Sequence, residues 1–340
     1  MNFLENKAYN KIFSYWLVSL ITFIFLMIVV GGLTRLTDSG LSITEWELFN
    51  GILPPLTADA WEKYFTLYKE IPQYTLLNIN LSLEGFKVIF YWEYAHRLLG
   101  RILGLFFLIP FGFFIYKKAL TKVCVYKFSF IFLLILLQGV IGWYMVMSGL
   151  VSNVTVSHYR LAVHLTLAFI IISLIYWNFL NFNNKTDVKF FKKNNFRYIK
   201  YFIILLFFQI IFGAFVSGLD AGKIYQSWPL MNNSYFPDDT SLLNIYNIFD
   251  FNNSSVVQFF HRNIAYIIFL LSIFIGYKVL IQKNRDLIKP YLILLLFIFI
   301  QISLGILVLL SDVNMIVASF HQITSLFIVF SSLNLYHASL

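Results

Sequence analysis

Eight separate stretches of this 340-residue chain, near 13–33, 90–116, 127–148, 160–180, 201–219, 256–277, 290–311 and 316–336, are overwhelmingly apolar. A helix needs about 20 such residues to cross the hydrocarbon core of a bilayer. Inside lipid each backbone N–H and C=O must be satisfied within the protein, which leaves the helix as the natural state of such segments. Only 12% of the residues are charged, against about 25% in soluble domains. The chain therefore reads as an all-α polytopic membrane protein with eight transmembrane helices.

A net charge of +9 would ordinarily raise nucleic acid as a partner, but its distribution excludes that reading. Basic residues gather at Lys7 and Lys11, at Lys117 to Lys127, between Lys185 and Lys200, and between Lys278 and Lys289. These are the N-terminus and the loops after spans two, four and six. The other loops carry most of the acids, among them Asp38, Glu45, Glu62, Glu84, Asp220, Asp239 and Asp312. Positive charge is retained on the cytoplasmic side, so both termini are expected in the cytoplasm. No signal or transit segment is evident before the first span, which favours a bacterial inner-membrane protein over an imported precursor. The single cysteine, Cys124, falls in an expected cytoplasmic loop and cannot form an intrachain disulfide or a multi-cysteine metal site.

Two halves repeat. A shift of 182 residues aligns Gly31, Asp38, Gly40, Trp46, Leu48, Asn50 and Pro55 with Gly213, Asp220, Gly222, Trp228, Leu230, Asn232 and Pro237. A shift of 165 lays His96-Arg97 on His261-Arg262, and one of 163 lays Gln138 and Gly142 on Gln301 and Gly305. Four spans per half give both halves the same orientation, a parallel repeat. The expected architecture is two tandem, pseudo-symmetric four-helix bundles, 1–182 and 183–340. The outer loop 34–89 of the first half is the longest polar segment. Within 59–70, Trp61, Phe65 and Tyr68 recur at helical spacing. They predict a short amphipathic helix that either lies on the membrane or caps the bundle, or else simply packs within the loop.

Four histidines, His96, His164, His261 and His321, stand near the outer ends of the even-numbered spans. At ~1.5 Å per residue, His96 lies about 30 Å from Tyr116 and His261 about 26 Å from Lys278, so the imidazoles share one depth. A lone intramembrane histidine is more often a hydrogen-bonded core residue. Four at one level of a duplicated bundle point to ligation of haem iron, with pairs His96/His164 and His261/His321. Arg97 and Arg262 follow the first histidine of each half and are placed to meet haem propionates. Arg101, one turn on, either does the same or snorkels to the interface. His158 and His337 read as interfacial.

The halves differ where Glu93, three residues before His96, is matched by Gln258. A carboxylate beside haem can move protons or steer a reacting oxygen species, whereas an amide cannot. The blander role for Glu93 is a helix cap or a wet interfacial group. The asymmetry makes the first half the expected reaction site and the second an electron-holding cofactor site. No phosphate loop, zinc-protease motif or nucleophile elbow is present. Gly31, Gly32 and Gly213 are expected to allow close helix contact, and Gln138 and Gln301 to face haem or link helices.

Glu93-Tyr-Ala-His-Arg-Leu-Leu-Gly-Arg101, Gly31-Gly-Leu-Thr-Arg-Leu-Thr-Asp-Ser-Gly-Leu-Ser-Ile-Thr-Glu-Trp46, Leu219-Asp-Ala-Gly222, Ser227-Trp-Pro-Leu-Met-Asn232 and Gln258-Phe-Phe-His-Arg-Asn263 together resemble the haem A synthase family over nearly the whole chain. The resemblance implies oxidation of the C8 methyl of farnesylated haem O to a formyl group, giving haem A for cytochrome oxidase, with molecular oxygen as oxidant. It implies one haem b on His261 and His321, and a substrate site using His96, His164 and Glu93. It also implies an external electron donor, of ferredoxin type, and allows a complex with haem O synthase or a homo-oligomer. The chain lacks the outer-loop cysteine pair of some members, like the alphaproteobacterial and mitochondrial branch. Two other classes compete. A di-haem b-type cytochrome passing electrons without modifying haem predicts equivalent halves. A haem or prenyl-lipid transporter predicts broken helices near mid-membrane, where only Pro110 interrupts a span interior.

Overall fold

A computed structural model describes residues 3–45, 50–151, 154–192, 196–240, 248–281 and 285–340. Trp46 and Leu48 of the repeat lie outside the described residues. The fold is all-helical: α1 (Asn10–Leu36), α2 (Ala58–Lys69), α3 (Pro72–Leu76), α4 (Leu83–Tyr116), α5 (Lys122–Met147), α6 (His158–Asn183), α7 (Arg197–Gly218), α8 (Ser254–Ile281), α9 (Arg285–Leu310) and α10 (Met315–Ala338). Eight of these, all but α2 and α3, are long and apolar enough to cross a membrane. Each contains nearly all of one expected span, and most run further, because capped polar turns continue the helix beyond its apolar stretch. Ser82, for example, accepts a bond from the Gly85 N–H and starts α4 seven residues before the expected Phe90. Cys124 stands in the first turn of α5 rather than in a loop, its N–H bonded to the capping Thr121 hydroxyl.

The chain forms two compact units, residues up to Ile172 and from Ser173 onward, dividing within α6. In the first, α4 packs against α1, α2 and α5. At 34 residues, α4 is ~51 Å long, well over the ~30 Å hydrocarbon core, so it extends beyond that core. Its first turns carry Phe86 and Phe90, on which α2 seats Trp61, Phe65 and Tyr68, all buried. The amphipathic stripe of α2 is thus a packing face. Tyr68 donates to Gln73 Oε1 at 3.0 Å and accepts from Asn78 Nδ2 at 2.8 Å, while Gln73 Nε2 donates to the Asp38 carbonyl at 3.0 Å. Burial raises the Tyr68 phenol above its ordinary pKa.

In the second unit α7 packs on α8 and α9 on α10. His337 is buried near the end of α10, with Nε2 3.0 Å from Asn181 Oδ1 and its ring against Trp177. That histidine holds the helix end in place. The repeat reappears in local geometry. Asp38 and Asp220, two residues past the ends of α1 and α7, share left-handed backbone with φ of 51° and 49°, the conformation in which a chain commonly leaves a helix.

Candidate functional site

His96, His164, His261 and His321 sit on α4, α6, α8 and α10. Each packs its ring edge on a glycine of a neighbouring helix. A Cβ added at Gly31, Gly142, Gly213 or Gly305 would stand 2.9, 3.0, 3.3 or 3.0 Å from Cε1 of His96, His164, His261 or His321 respectively. Any larger residue would displace the imidazole, which is why small residues occur where membrane helices approach closely. In all four rings Nδ1 is buried without a hydrogen-bond partner, yet each histidine as a whole is only half-buried. A buried, unpaired ring nitrogen costs free energy unless the site gives something in return.

The centroids of His96 and His164 are 6.5 Å apart, with ring planes at 65°. Two metal–nitrogen bonds of about 2 Å each, together with the two ring radii, span roughly that separation. The pair His96 and His164 therefore fits iron held between two imidazoles. Among the described residues no cluster of three or more His, Cys, Asp or Glu side chains could hold a bare metal ion.

Glu93 is buried one turn before His96; one of its oxygens pairs with Arg97 on the same helix and the other ties α4 to the chain after α1. Its Oε1 accepts from Arg97 Nη2 at 2.6 Å and Nε at 3.0 Å, and its Oε2 accepts from Ser42 Oγ at 2.8 Å and the Ile43 N–H at 2.9 Å. Arg97 also donates to the carbonyls of Ile43, at 2.9 Å, and Glu45, at 3.3 Å. The arginine expected to meet a propionate is thus engaged by a carboxylate and by backbone. Arg101 donates to the Gly51 carbonyl at 2.9 Å.

In the second unit Arg262 donates to the carbonyl of Tyr225 at 2.9 Å and of Leu230 at 3.3 Å, and Gln258 Nε2 donates to the Tyr225 carbonyl at 3.0 Å. Tyr225 is the repeat counterpart of Ile43, so both arginines reach the same backbone position at the same distance. The difference is chemical. Glu93 accepts four bonds, whereas Gln258 donates one and leaves its Oε1 buried and unpartnered. The Tyr225 phenol donates to Asp238 Oδ1 at 2.6 Å, and burial together with that carboxylate pushes it up to about 12.

Sequence reasoning missed Ser42 and Ile43, which hold Glu93 from about fifty positions away in the chain, and it missed Gln209. Gln209 Nε2 donates to the His261 carbonyl at 3.0 Å. A signal was available, because Gln138, Gln209 and Gln301 each stand four residues before the histidine-facing glycine.

Residues 14–333 match the family described as cytochrome oxidase assembly protein. A protein called haem A synthase from Pelagibacter ubique is 47% identical over 97% of this chain and 97% of its own. One of the same name from Wolbachia pipientis of Culex pipiens is 42% identical over 93% and 94%. Another, from Flavobacterium johnsoniae, is 38% identical over 95% and 96%.

Proposed function

The chain belongs to the cytochrome oxidase assembly protein family, and from that premise we propose that it is a multi-pass membrane enzyme that converts haem O to haem A. The observation that carries the assignment to particular residues is the facing pair His96 and His164, at 6.5 Å, one turn from a buried carboxylate that the second unit replaces with an amide.

In this reading residues 1–182 form a four-helix bundle that takes haem O, and residues 183–340 form a second that keeps one haem b. His96 and His164 hold the substrate iron. His261 and His321 hold haem b, whose bound form supplies a one-electron redox centre. Glu93 stands on the His96 face of α4. Its ion pair with Arg97 fixes its position, so that it can move a proton or steer a reacting oxygen species beside the substrate. Arg97 and Arg262 are placed to meet haem propionates, and their backbone bonds also hold the chain at Ile43 and Tyr225. The farnesyl tail is accommodated by lipid, which accounts for a site within a membrane bundle.

Methyl to formyl is a four-electron oxidation. Two successive hydroxylations give a gem-diol, which loses water to leave the aldehyde, with molecular oxygen as oxidant and an external donor, of ferredoxin type, for the electrons. The basic inner loops favour both termini in the cytoplasm, and bacterial relatives favour the inner membrane. Expression beside a haem O producer, followed by pigment extraction and chromatography, tests the activity. Formyl haem is expected, and its absence from folded, haem-loaded protein would exclude it.

A further inference from the structure

A short run in the outer loop of the first unit shows apolar side chains to its surroundings. Ile52, Leu53 and Leu56 are 47%, 68% and 78% exposed, and no side chain from Gly51 to Leu56 is charged or can form a hydrogen bond. Part of its backbone is nonetheless provided for. Arg101 Nη1 donates to the Gly51 carbonyl at 2.9 Å, and the Tyr94 hydroxyl donates to the Ile52 carbonyl at 2.7 Å. Pro54 and Pro55 carry no N–H to satisfy. Non-helical chain beside lipid needs its polar backbone groups met by protein, whereas in water the solvent would serve. Both donors stand on α4 and set the level of the run. At ~1.5 Å per residue, Arg101 lies about 23 Å and Tyr94 about 33 Å from Tyr116 at the far end of that helix. The hydrocarbon core is ~30 Å thick, so the run is held at its outer edge.

Exposure alone does not make such a surface. Leu76, Leu77 and Ile79 are exposed too, but they precede Leu83, which begins α4 about 50 Å from Tyr116, past the ~40–45 Å of a whole bilayer. The second half has no equivalent run. Gly51, Ile52, Leu53 and Leu56 are matched at the 182-residue shift by Asn233, Ser234, Tyr235 and Asp238. The donors Tyr94 and Arg101 are matched at the 165-residue shift by Phe259 and Tyr266. The run and its donors change together. We propose that Ile52, Leu53 and Leu56 form a lipid anchor, inserted among the acyl chains at the outer boundary of the bilayer, and that Arg101 and Tyr94 hold it at that depth. Apolar side chains of surface anchors enter this boundary by ~5–10 Å. The anchor pins the outer loop to the membrane shortly after the Ile43 N–H that binds Glu93.

Spin labels on introduced cysteines read the surroundings of the run in the full-length protein, reconstituted in phosphatidylcholine nanodiscs. Cys124 is buried and should stay unlabelled, so wild type serves as the blank. Leu53→Cys and Leu56→Cys are compared with Ile109→Cys, an exposed position well inside α4, and with Leu77→Cys beyond the bilayer. Power saturation is measured with oxygen, which partitions into lipid, and with a water-soluble nickel chelate. Labels at 53 and 56 should favour oxygen over the chelate several-fold more than the label at 77, with 53 nearer to 109. Tyr94→Phe, which frees the Ile52 carbonyl, should move the label at 53 toward the chelate, and an unmoved label would overturn the role given to Tyr94. Chelate access at 53 and 56 equal to that at 77 would overturn the anchor. So would labels closed to both reagents, the signature of a second copy or another protein seated on the run. If one cysteine variant does not fold, the other position decides alone.

Discussion

Replacing Glu93 by glutamine changes one atom and disturbs four hydrogen bonds. The carboxylate accepts from two nitrogens of Arg97, from the Ser42 hydroxyl and from the Ile43 N–H. An amide oxygen can accept about two of these, and the amide NH₂ then faces the remaining donors. The Ser42 hydroxyl can reverse and accept, but a backbone or guanidinium N–H cannot. One buried donor left unpaired costs about 1–3 kcal/mol, and loss of charge assistance on the arginine bonds adds about 1–2 kcal/mol. The surviving bonds of Arg97 to the Ile43 and Glu45 carbonyls keep the total toward the lower half, about 3 kcal/mol, below the upper values for a broken buried pair. For a cooperative unit of this size that corresponds to a melting temperature lower by roughly 6–12 °C. Tryptophan fluorescence of the detergent-solubilised protein measures it, and extracted pigments report the chemistry in the same preparation. The variant should retain haem and yield no formyl product. A melting temperature within about 2 °C of wild type would refute the four-bond account. Lowered stability with full conversion would confine Glu93 to holding the loop.

His261→Leu should lose the resident haem b, so the pigment content of the purified protein should fall by about one haem, and unchanged content would reject the division between halves. Gly305→Ala places a methyl 3.0 Å from His321 Cε1 and should broaden or shift the low-spin haem spectrum, whereas Gly104→Ala, where an added Cβ meets nothing within 4 Å, should not. Trp61→Ala removes a buried anchor of α2 on α4 and should cost about 3–5 kcal/mol, read as faster proteolysis within 50–80 at unchanged haem content. Tyr225 is held protonated, its pKa raised from an ordinary value of about 10 to about 12. Its contribution is full below pH ~10 and is lost as pH rises from ~10 to ~12, so the fall in melting temperature over that window should be shallower in Tyr225→Phe.

The spans and the amphipathic stripe of α2 were legible because each is a local pattern, set by the hydropathy of a window or by helical spacing. Helix ends were less so: α4 starts at Leu83 because Ser82 caps it, and Cys124 is helical because Thr121 does the same for α5. The partners of Glu93 were not legible at all. Nothing in the spacing of Glu93 and Arg97 says that Ser42 and Ile43 will close around them, since a loop brings those two back from far along the chain. The same holds for Gln209, whose bond to His261 spans 52 positions.

Arg97 and Arg262 each hold a loop by its backbone oxygen, at Ile43 and at Tyr225. A carbonyl is the same on every residue, so such a grip survives any change of side chain at the gripped position. The two gripped positions can therefore differ in side chain, an aromatic with a carboxylate partner at Tyr225 and an aliphatic residue at Ile43, while each arginine keeps the same hold.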